Sequence, residues 1–117
     1  MILQDLENPV DHNAPLEEIA RAVSTASGVT VSEMRSPNRE RHNVIARHVF
    51  FYIGRRAGFS WMKLGQFMLR DHSTAIHGYR QINDLMSLPK SNFIETQTYI
   101  HAREILASRN EERYQSI

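Results

Sequence analysis

Apolar residues recur at helical spacing along almost the whole chain, and the alternation that is typical of β-strands is almost absent. The first such stretch covers residues 16–26, with Pro15 in its first turn and Gly28 as a stop signal. Thr30 and Glu33 then form a capping-box pattern, which predicts a single further helical turn. These patterns predict an all-α fold.

A longer apolar face follows between residues 44 and 57, and Gly58 ends it. Its apolar stripe is wide enough to predict a central helix that is buried on more than one side. A last helix, from about Asn92 to Arg109, is expected to pack back on the bundle.

Two shorter periodic stretches between residues 60 and 86 are separated by only a few residues. Ser60 is a typical N-cap for the first, Asp71 is an N-cap for the second, and Pro89 closes the second. Two helices joined in this way form a helix-turn-helix, whose second helix places its N-terminal residues in the major groove of DNA. The predicted fold class is therefore a small helical bundle of the Trp-repressor-like type, with a helix-turn-helix at about 60–86.

Length and composition predict one compact domain. The 117 residues are 41% hydrophobic, enough for one core. We expect a flexible N-terminal segment at 1–13, a single helical DNA-binding domain at 14–110 and a frayed tail at 111–117. The sequence has no cysteine and no apolar run of the roughly 18 residues that a membrane span needs. The expected location is cytoplasmic and nucleoid-associated, without membrane contact.

Basic residues are concentrated in the middle of the chain. Residues 35–80 contain nine basic and two acidic residues, a net charge of +7, whereas residues 1–34 carry −5 and residues 81–117 carry −1. Such segregation is the electrostatic footprint of a face that binds polyanions. Arginines that only solvate the helix surface are an equally open alternative.

The stretch RDHST at 70–74 places five hydrogen-bonding side chains around the predicted start of a helix. Arginine can fork onto guanine, aspartate can accept from cytosine N4, and serine and threonine can bond to base edges or phosphates. Histidine adds a donor, and the free N–H groups of a helix N-terminus favour phosphate. This chemistry predicts a major-groove reading surface made of Arg70, Asp71, His72, Ser73 and Thr74.

Catalysis and metal binding are weaker interpretations of the same stretch. Asp71, His72 and Ser73 are the residue types of a hydrolytic triad, but adjacent helical positions point about 100° apart. His72 and His77 are five residues apart and do not share a face, so neither an enzyme nor a metal site is expected. His77 is expected to be a half-buried packing residue. Three aromatic residues at helical spacing are expected in the core: Trp61, Phe67 and Tyr79.

From about residue 16 to residue 86 the chain resembles the C-terminal DNA-binding domain, or domain IV, of the bacterial chromosomal replication initiator DnaA. The matching residues are the basic-loop arginines, the start of the central helix, the serine-initiated helix with its glycine, and the RDHST stretch with its following histidine: Arg39, Arg41, Val44, Ala46, Arg47, Ser60, Gly65, Arg70, Asp71, His72, Ser73, Thr74 and His77. The family has RDHTT, usually after two glycines. Here Met68 and Leu69 precede it, and the connection is one residue shorter.

In that family RDHTT enters the major groove of a short box sequence, and an arginine of the basic loop reaches the adjacent minor groove. The resemblance implies the first role for residues 70–74 and the second for Arg39, with Arg41 as the other candidate. Ser73 lacks the methyl group by which threonine can touch thymine. We expect these departures to affect the angle of the recognition helix and the identity of the preferred site.

The remaining expectations concern phosphates, partners and biological role. Phosphate contacts are expected from four basic residues and one hydroxyl: Arg47, Arg55, Arg56, Lys63 and Ser60. No GxxxxGK[ST] motif is present, so neither a nucleotide nor another cofactor is expected, and the expected partner is double-stranded DNA. The leading hypothesis is a stand-alone, sequence-specific transcription regulator, with a phage or prophage origin as one option. The alternatives are a replication modulator that occupies initiator boxes and a protein-interaction module that has kept the fold.

Overall fold

The computed structural model of the chain describes residues 15–88 and 93–115. Within these two ranges the chain forms six α-helices and no strand: α1 (Leu16–Ser27), α2 (Val31–Arg35), α3 (Arg41–Arg56), α4 (Trp61–Phe67), α5 (His72–Met86) and α6 (Ile94–Gln115). The predicted all-α fold class is confirmed.

The first two helices begin and end where local sequence signals place them. Gly28 ends α1 with a φ of 77°, a left-handed conformation that glycine favours, and its N–H donates to the carbonyl of Ser24. At the start of α2 the Thr30 hydroxyl accepts from the N–H of Glu33 at 3.0 Å. The Glu33 carboxylate accepts from the N–H of Thr30 at 2.8 Å, so the predicted capping box is present.

Helix α3 is the centre of the domain. Consecutive residues Val49, Phe50 and Phe51 are all fully buried, which is possible only when a helix is covered on several faces. Each of the other five helices contacts α3. The prediction of a central helix ended by Gly58 is confirmed, since α3 ends two residues before that glycine.

Helices α4 and α5 form the predicted helix-turn-helix, and both pack on the core. The hydroxyl of Ser60 caps α4 by accepting from the N–H of Lys63 at 3.1 Å. The rings of Trp61 and Tyr79 meet edge to face at 5.5 Å, and Phe67 packs against the same core. The predicted core role of these three aromatic residues is confirmed.

The turn between α4 and α5 depends on two backbone positions. A Cβ atom on Gly65 would lie 2.7 Å from the carbonyl oxygen of Arg70 and 3.1 Å from the carbonyl carbon of Asp71, and both are backbone atoms. The close approach is held by the N–H of Arg70, which donates to the Gly65 carbonyl at 2.8 Å. Leu69 has a φ of 57°, the left-handed region that glycine favours. The chain thereby reverses direction within a few residues.

Helix α6 packs against α1, α3 and α5. Its predicted end at Arg109 is wrong, because the helix continues to Gln115 and includes residues 111–115, which were expected to fray. The predicted start at Asn92, the N-terminal segment 1–13 and the end of the expected tail lie outside the described residues. Over residues 15–88 and 93–115, no helix has the length and apolar character required to cross a membrane.

Candidate nucleic-acid interface

The N-terminus of α5 presents three polar side chains to solvent. Asp71 occupies the N-cap position, as predicted, but its side chain makes no capping hydrogen bond. Its carboxylate instead accepts from the Ser73 hydroxyl at 3.0 Å and lies 3.1 Å from Nδ1 of His72. The side chains of Asp71 and His72 are 66% and 53% exposed. The hydrogen bond from the Ser73 hydroxyl, more than any other contact, lowers the pKa of Asp71, which therefore carries its negative charge at neutral pH.

This arrangement differs from that of a hydrolytic triad. In a triad the serine is hydrogen-bonded to the histidine, and the histidine to the carboxylate. Here Ser73 and His72 both contact Asp71, which lies between them. The three groups together present a carboxylate, an imidazole and a hydroxyl oxygen at the end of a helix, which suits the edges of base pairs.

Arg70 lies immediately before these residues and points the other way. Its guanidinium donates to the carbonyl oxygens of Ser36 at 2.7 Å, Met68 at 3.0 Å and Arg35 at 3.2 Å. These three bonds direct the guanidinium of Arg70 towards the loop and the turn. The prediction that Arg70 reads a base edge is therefore not supported, and we treat it as a residue that positions the turn.

Arg47 occupies a similar position on α3. Its side chain is only 5% exposed, and its guanidinium donates to the carbonyls of Met34 at 2.7 Å and Asn38 at 3.2 Å. Burial, followed by the charge of Arg70, lowers the pKa of Arg47 to about 10, still high enough to keep it charged at neutral pH. The phosphate contact of Arg47 stays a prediction, and the hydrogen bonds of its guanidinium to backbone carbonyls speak against it.

Three arginines thus hold α2 and the basic loop at 36–40 against α3 and the helix-turn-helix. Arg35 adds a third connection, since its Nε donates to the Phe67 carbonyl at 2.7 Å and its guanidinium lies 4.3 Å from the centre of the Phe67 ring. Loop carbonyls that would otherwise need water are satisfied by Arg47 and Arg70. The loop at 36–40 and the start of α5 are therefore held in a fixed relation.

A cleft of about 860 Å³ separates that loop from α5. Arg39 is exposed on its rim and has no hydrogen bond or ion pair within the described part of the chain. Arg41, the other minor-groove candidate, lies 3.7 Å from the carboxylate of Glu95 on α6. The cleft is lined by Arg35, Pro37, Arg39, Val44, Arg47, His48, Leu69, Arg70, Thr74 and His77.

Two histidines form one wall of the cleft. His77 is exposed, so the prediction of a half-buried packing residue is wrong; its ring meets His48 of α3 edge to face at 5.7 Å. Burial is the main cause that lowers the pKa of His48 to about 4, with smaller contributions from His77 and Arg47. His48 is therefore neutral at physiological pH and supports the exposed ring of His77.

The residues of α3 and α4 that are predicted to contact phosphate differ in how many interactions their side chains already make. Lys63 is exposed, and its ammonium group makes no ion pair among residues 15–88 and 93–115. Arg55 lies 4.4 Å from the centre of the Trp61 ring and donates to the Phe59 carbonyl, and Arg56 lies 4.9 Å from the Tyr52 ring. Ser60 uses its hydroxyl as the cap of α4. The contact of these residues with DNA stays a prediction.

Sequence reasoning missed Arg80 and Leu69. Arg80 is exposed and lies seven residues after Ser73 and three after His77, so the three share one face of α5. That spacing was readable from the sequence. Leu69 is 70% exposed beside the cleft, and only the backbone conformation of the turn reveals it. No group of three or more potential metal ligands occurs among the residues described.

The fold and this surface define a helix-turn-helix domain with a basic loop attached to its turn. A family model described as the bacterial DnaA protein helix-turn-helix matches residues 16–82, which is more than half of the chain. The chain belongs to this DnaA helix-turn-helix family.

Curated relatives agree with that assignment. The chain is 38% identical over 86 residues to the chromosomal replication initiator protein DnaA of Streptococcus mutans serotype c, and equally to the proteins of that name from Streptococcus pyogenes serotypes M5 and M1. Each match covers 72% of this chain and 19% of the relative. The chain therefore matches about a fifth of the length of these initiators.

Proposed function

We propose that the chain binds double-stranded DNA sequence-specifically, with the N-terminus of α5 in the major groove. The observation that carries the proposal is the exposure of Asp71, His72 and Ser73 on a turn that the half-buried Arg35 and Arg70 hold in place. Base readout requires such positioned polar groups, because discrimination is lost when a donor or acceptor moves away from its base edge.

Each exposed group has a suitable partner in the major groove. The Asp71 carboxylate accepts from the amino group of cytosine, His72 bonds a base edge through Nε2, and the Ser73 oxygen, whose hydrogen is donated to Asp71, accepts from a base amino group. Thr74, which is half-buried and lines the cleft, is placed for a base edge or the nearest phosphate. His77 and Arg80 continue the same face along α5.

The basic loop supplies the second contact. In this proposal Arg39 enters the minor groove beside the site of α5, and the intervening phosphate strand lies along the cleft. Arg41 is held towards Glu95, which makes it the weaker candidate for that groove. Lys63 is the freest of the phosphate candidates, and Arg55, Arg56 and Ser60 flank it. The net charge of +7 between residues 35 and 80 supports this reading.

We assign the biological role on the same basis. We propose that its sequence-specific binding makes the chain a transcription regulator on the bacterial nucleoid. A role as a replication modulator is the second candidate, because the relatives carry the name of replication initiators. The selected DNA site distinguishes the two roles. A match to the boxes bound by the initiators supports a replication modulator, and a match to a promoter sequence supports a transcription regulator.

Selection from a random duplex library, followed by fluorescence anisotropy, tests the proposal. We expect one preferred sequence, bound without added nucleotide, and a Kd that rises steeply with salt. Asp71→Ala and His72→Ala should each weaken the preferred site by roughly five- to a hundredfold and change binding to scrambled DNA little. Lys63→Ala is the matched control, since loss of a phosphate contact weakens both duplexes equally and lowers the salt slope by about one.

Three results would count against the proposal. They are equal affinity for all duplexes, preference for single strands over duplexes, and unchanged sequence preference in both alanine variants. The last would leave the domain with the fold but with a different use for the α5 surface, such as contact with another protein.

A further inference from the structure

Leu69 combines two features that folding stability does not explain. It is 70% exposed, the highest value among the exposed large apolar side chains of the described residues, and its φ of 57° is the only positive value there outside glycine. A leucine rarely adopts this left-handed conformation, since its Cβ crowds the backbone. Glycine would occupy the turn without strain and without exposing a branched apolar side chain to water.

The conformation is imposed by the turn. The N–H of Leu69 donates to the Gln66 carbonyl at 3.1 Å, and the N–H groups of Met68 and Arg70 both donate to Gly65, at 3.1 and 2.8 Å. The backbone on both sides of Leu69 is therefore fixed, and its side chain leaves the turn in a defined direction. Strained backbone of this kind is often found where a side chain has a binding role.

The surroundings of Leu69 indicate what it meets. It lines the cleft together with Arg70 and Thr74 and lies two residues before Asp71, the N-cap of α5. The neighbouring exposed groups at Asp71, His72 and Ser73 are polar, so Leu69 supplies the apolar contact at this end of the helix. In the major groove the apolar feature of a base edge is the C5-methyl group of thymine.

We propose that Leu69 is a specificity-determining residue that packs its isobutyl group against the C5-methyl group of one thymine in the bound site. This inference rests on the proposed DNA-binding function. The thymine lies next to the base pairs that Asp71 and Ser73 read, because only Arg70 separates Leu69 from Asp71 in the chain. A serine at position 73 has no methyl for such a contact, so Leu69 provides the apolar recognition in the site.

Replacement of thymine by deoxyuridine tests the inference, since it removes only the methyl group and leaves every hydrogen-bonding group in place. Each thymine of the selected duplex is replaced in turn and the Kd is measured by anisotropy. For the unaltered chain we expect one position at which the Kd rises roughly three- to tenfold, the effect of about one buried methyl group.

Two variants of Leu69 test whether its side chain makes the contact with the methyl group. Asparagine at position 69 tolerates the left-handed conformation but lacks the apolar group. Replacement of the sensitive thymine by deoxyuridine should therefore no longer change the Kd of the Leu69→Asn variant. Leu69→Met keeps an apolar side chain and should retain part of the methyl effect. Ile100→Asn, which removes an exposed apolar side chain of α6 outside the cleft, should behave as the unaltered chain does. Thermal unfolding of Leu69→Asn should show a Tm no lower than that of the unaltered chain.

The outcomes separate this inference from the proposed function. A sequence-specific chain with no deoxyuridine-sensitive thymine, or a Leu69→Asn variant that keeps the full sensitivity, would overturn the role of Leu69 and leave the proposed function standing. A chain without any preference among duplexes would overturn both. A methyl effect in the unaltered chain that Leu69→Asn abolishes would support the inference.

Discussion

Two neighbouring sets of polar side chains in this domain have opposite environments. Arg47 and Arg70 have their guanidinium groups on backbone carbonyls of the basic loop, whereas Asp71, His72 and Ser73 contact only one another and solvent. Residue type does not separate the two sets, because all five are common in DNA-binding surfaces. The difference is that Arg47 and Arg70 lie within hydrogen-bonding distance of loop carbonyls, whereas Asp71, His72 and Ser73 do not. Arg47 and Arg70, the inner set, hold the candidate interface together. Asp71, His72 and Ser73, the outer set, are free to bind DNA.

The largest expected effect of a single change is at Arg47. Arg47→Ala should lower the free energy of unfolding by about 3 kcal/mol, since it leaves the buried carbonyl of Met34 and the part-buried carbonyl of Asn38 without this donor. Urea unfolding measures the change. Arg39→Ala, which removes an exposed arginine of the same loop, should stay within about 0.5 kcal/mol. A fully stable Arg47→Ala variant with weaker DNA binding would show that Arg47 binds DNA, as proposed for the outer set, and does not stabilise the fold.

The second prediction concerns the turn that separates the two sets. Gly65→Ala should cost about 2 kcal/mol, because the added Cβ would collide with backbone atoms of Arg70 and Asp71 that have no room to move. Gln66→Ala, at an exposed position of the same helix, serves as the control and should be nearly neutral. Equal unfolding midpoints for the two variants would show that the turn is looser than its hydrogen bonds indicate.

A third prediction follows from the pKa of His48, which is lowered to about 4 in the folded domain. The unfolded chain binds a proton on this residue near pH 6.5, so stability falls as the pH is lowered from about 7 to 5. The loss should be on the order of 1 to 2 kcal/mol, and His48→Gln should remove it. Unfolding curves at several pH values give the comparison. An unchanged pH dependence in the variant would assign the loss to other groups.

The smallest expected effect contrasts two N-caps. Thr30→Ala should cost about 1 kcal/mol, since it removes the hydroxyl that accepts from the N–H of Glu33. Asp71→Ala should cost clearly less, because its side chain makes no capping hydrogen bond. Thermal unfolding of the two variants measures the difference. A loss at Asp71 as large as that at Thr30 would make Asp71 a structural residue rather than a binding one.

The features that could be predicted from sequence depend on residues close together in the chain. The glycine stop of α1, the capping box of α2 and the serine cap of α4 each involve residues at most four apart. The end of α6 was misplaced because apolar periodicity fades near Arg109, yet the following residues contain no glycine or proline to stop a helix. Periodicity predicts which face is buried, and it does not predict how far an exposed helix continues.

The candidate site was less predictable, because its organisation depends on contacts between distant residues. Arg70 donates to carbonyls 34 and 35 residues earlier in the chain, and Arg47 reaches back 9 and 13 residues. Nothing in RDHST indicates that its first residue turns inward and the next three outward. The exposure of His77 likewise depends on how α5 lies against His48 of α3.

NMR titration of the ¹⁵N-labelled chain with its selected duplex tests most directly whether the outer set binds DNA. The account predicts that the largest amide shift changes fall at residues 69–74 and 38–41, the two sides of the cleft. It predicts small changes in α1 and in the described part of α6, which contribute no residue to the lining of the cleft. The largest changes on α1 and α6, with residues 69–74 unmoved, would contradict it.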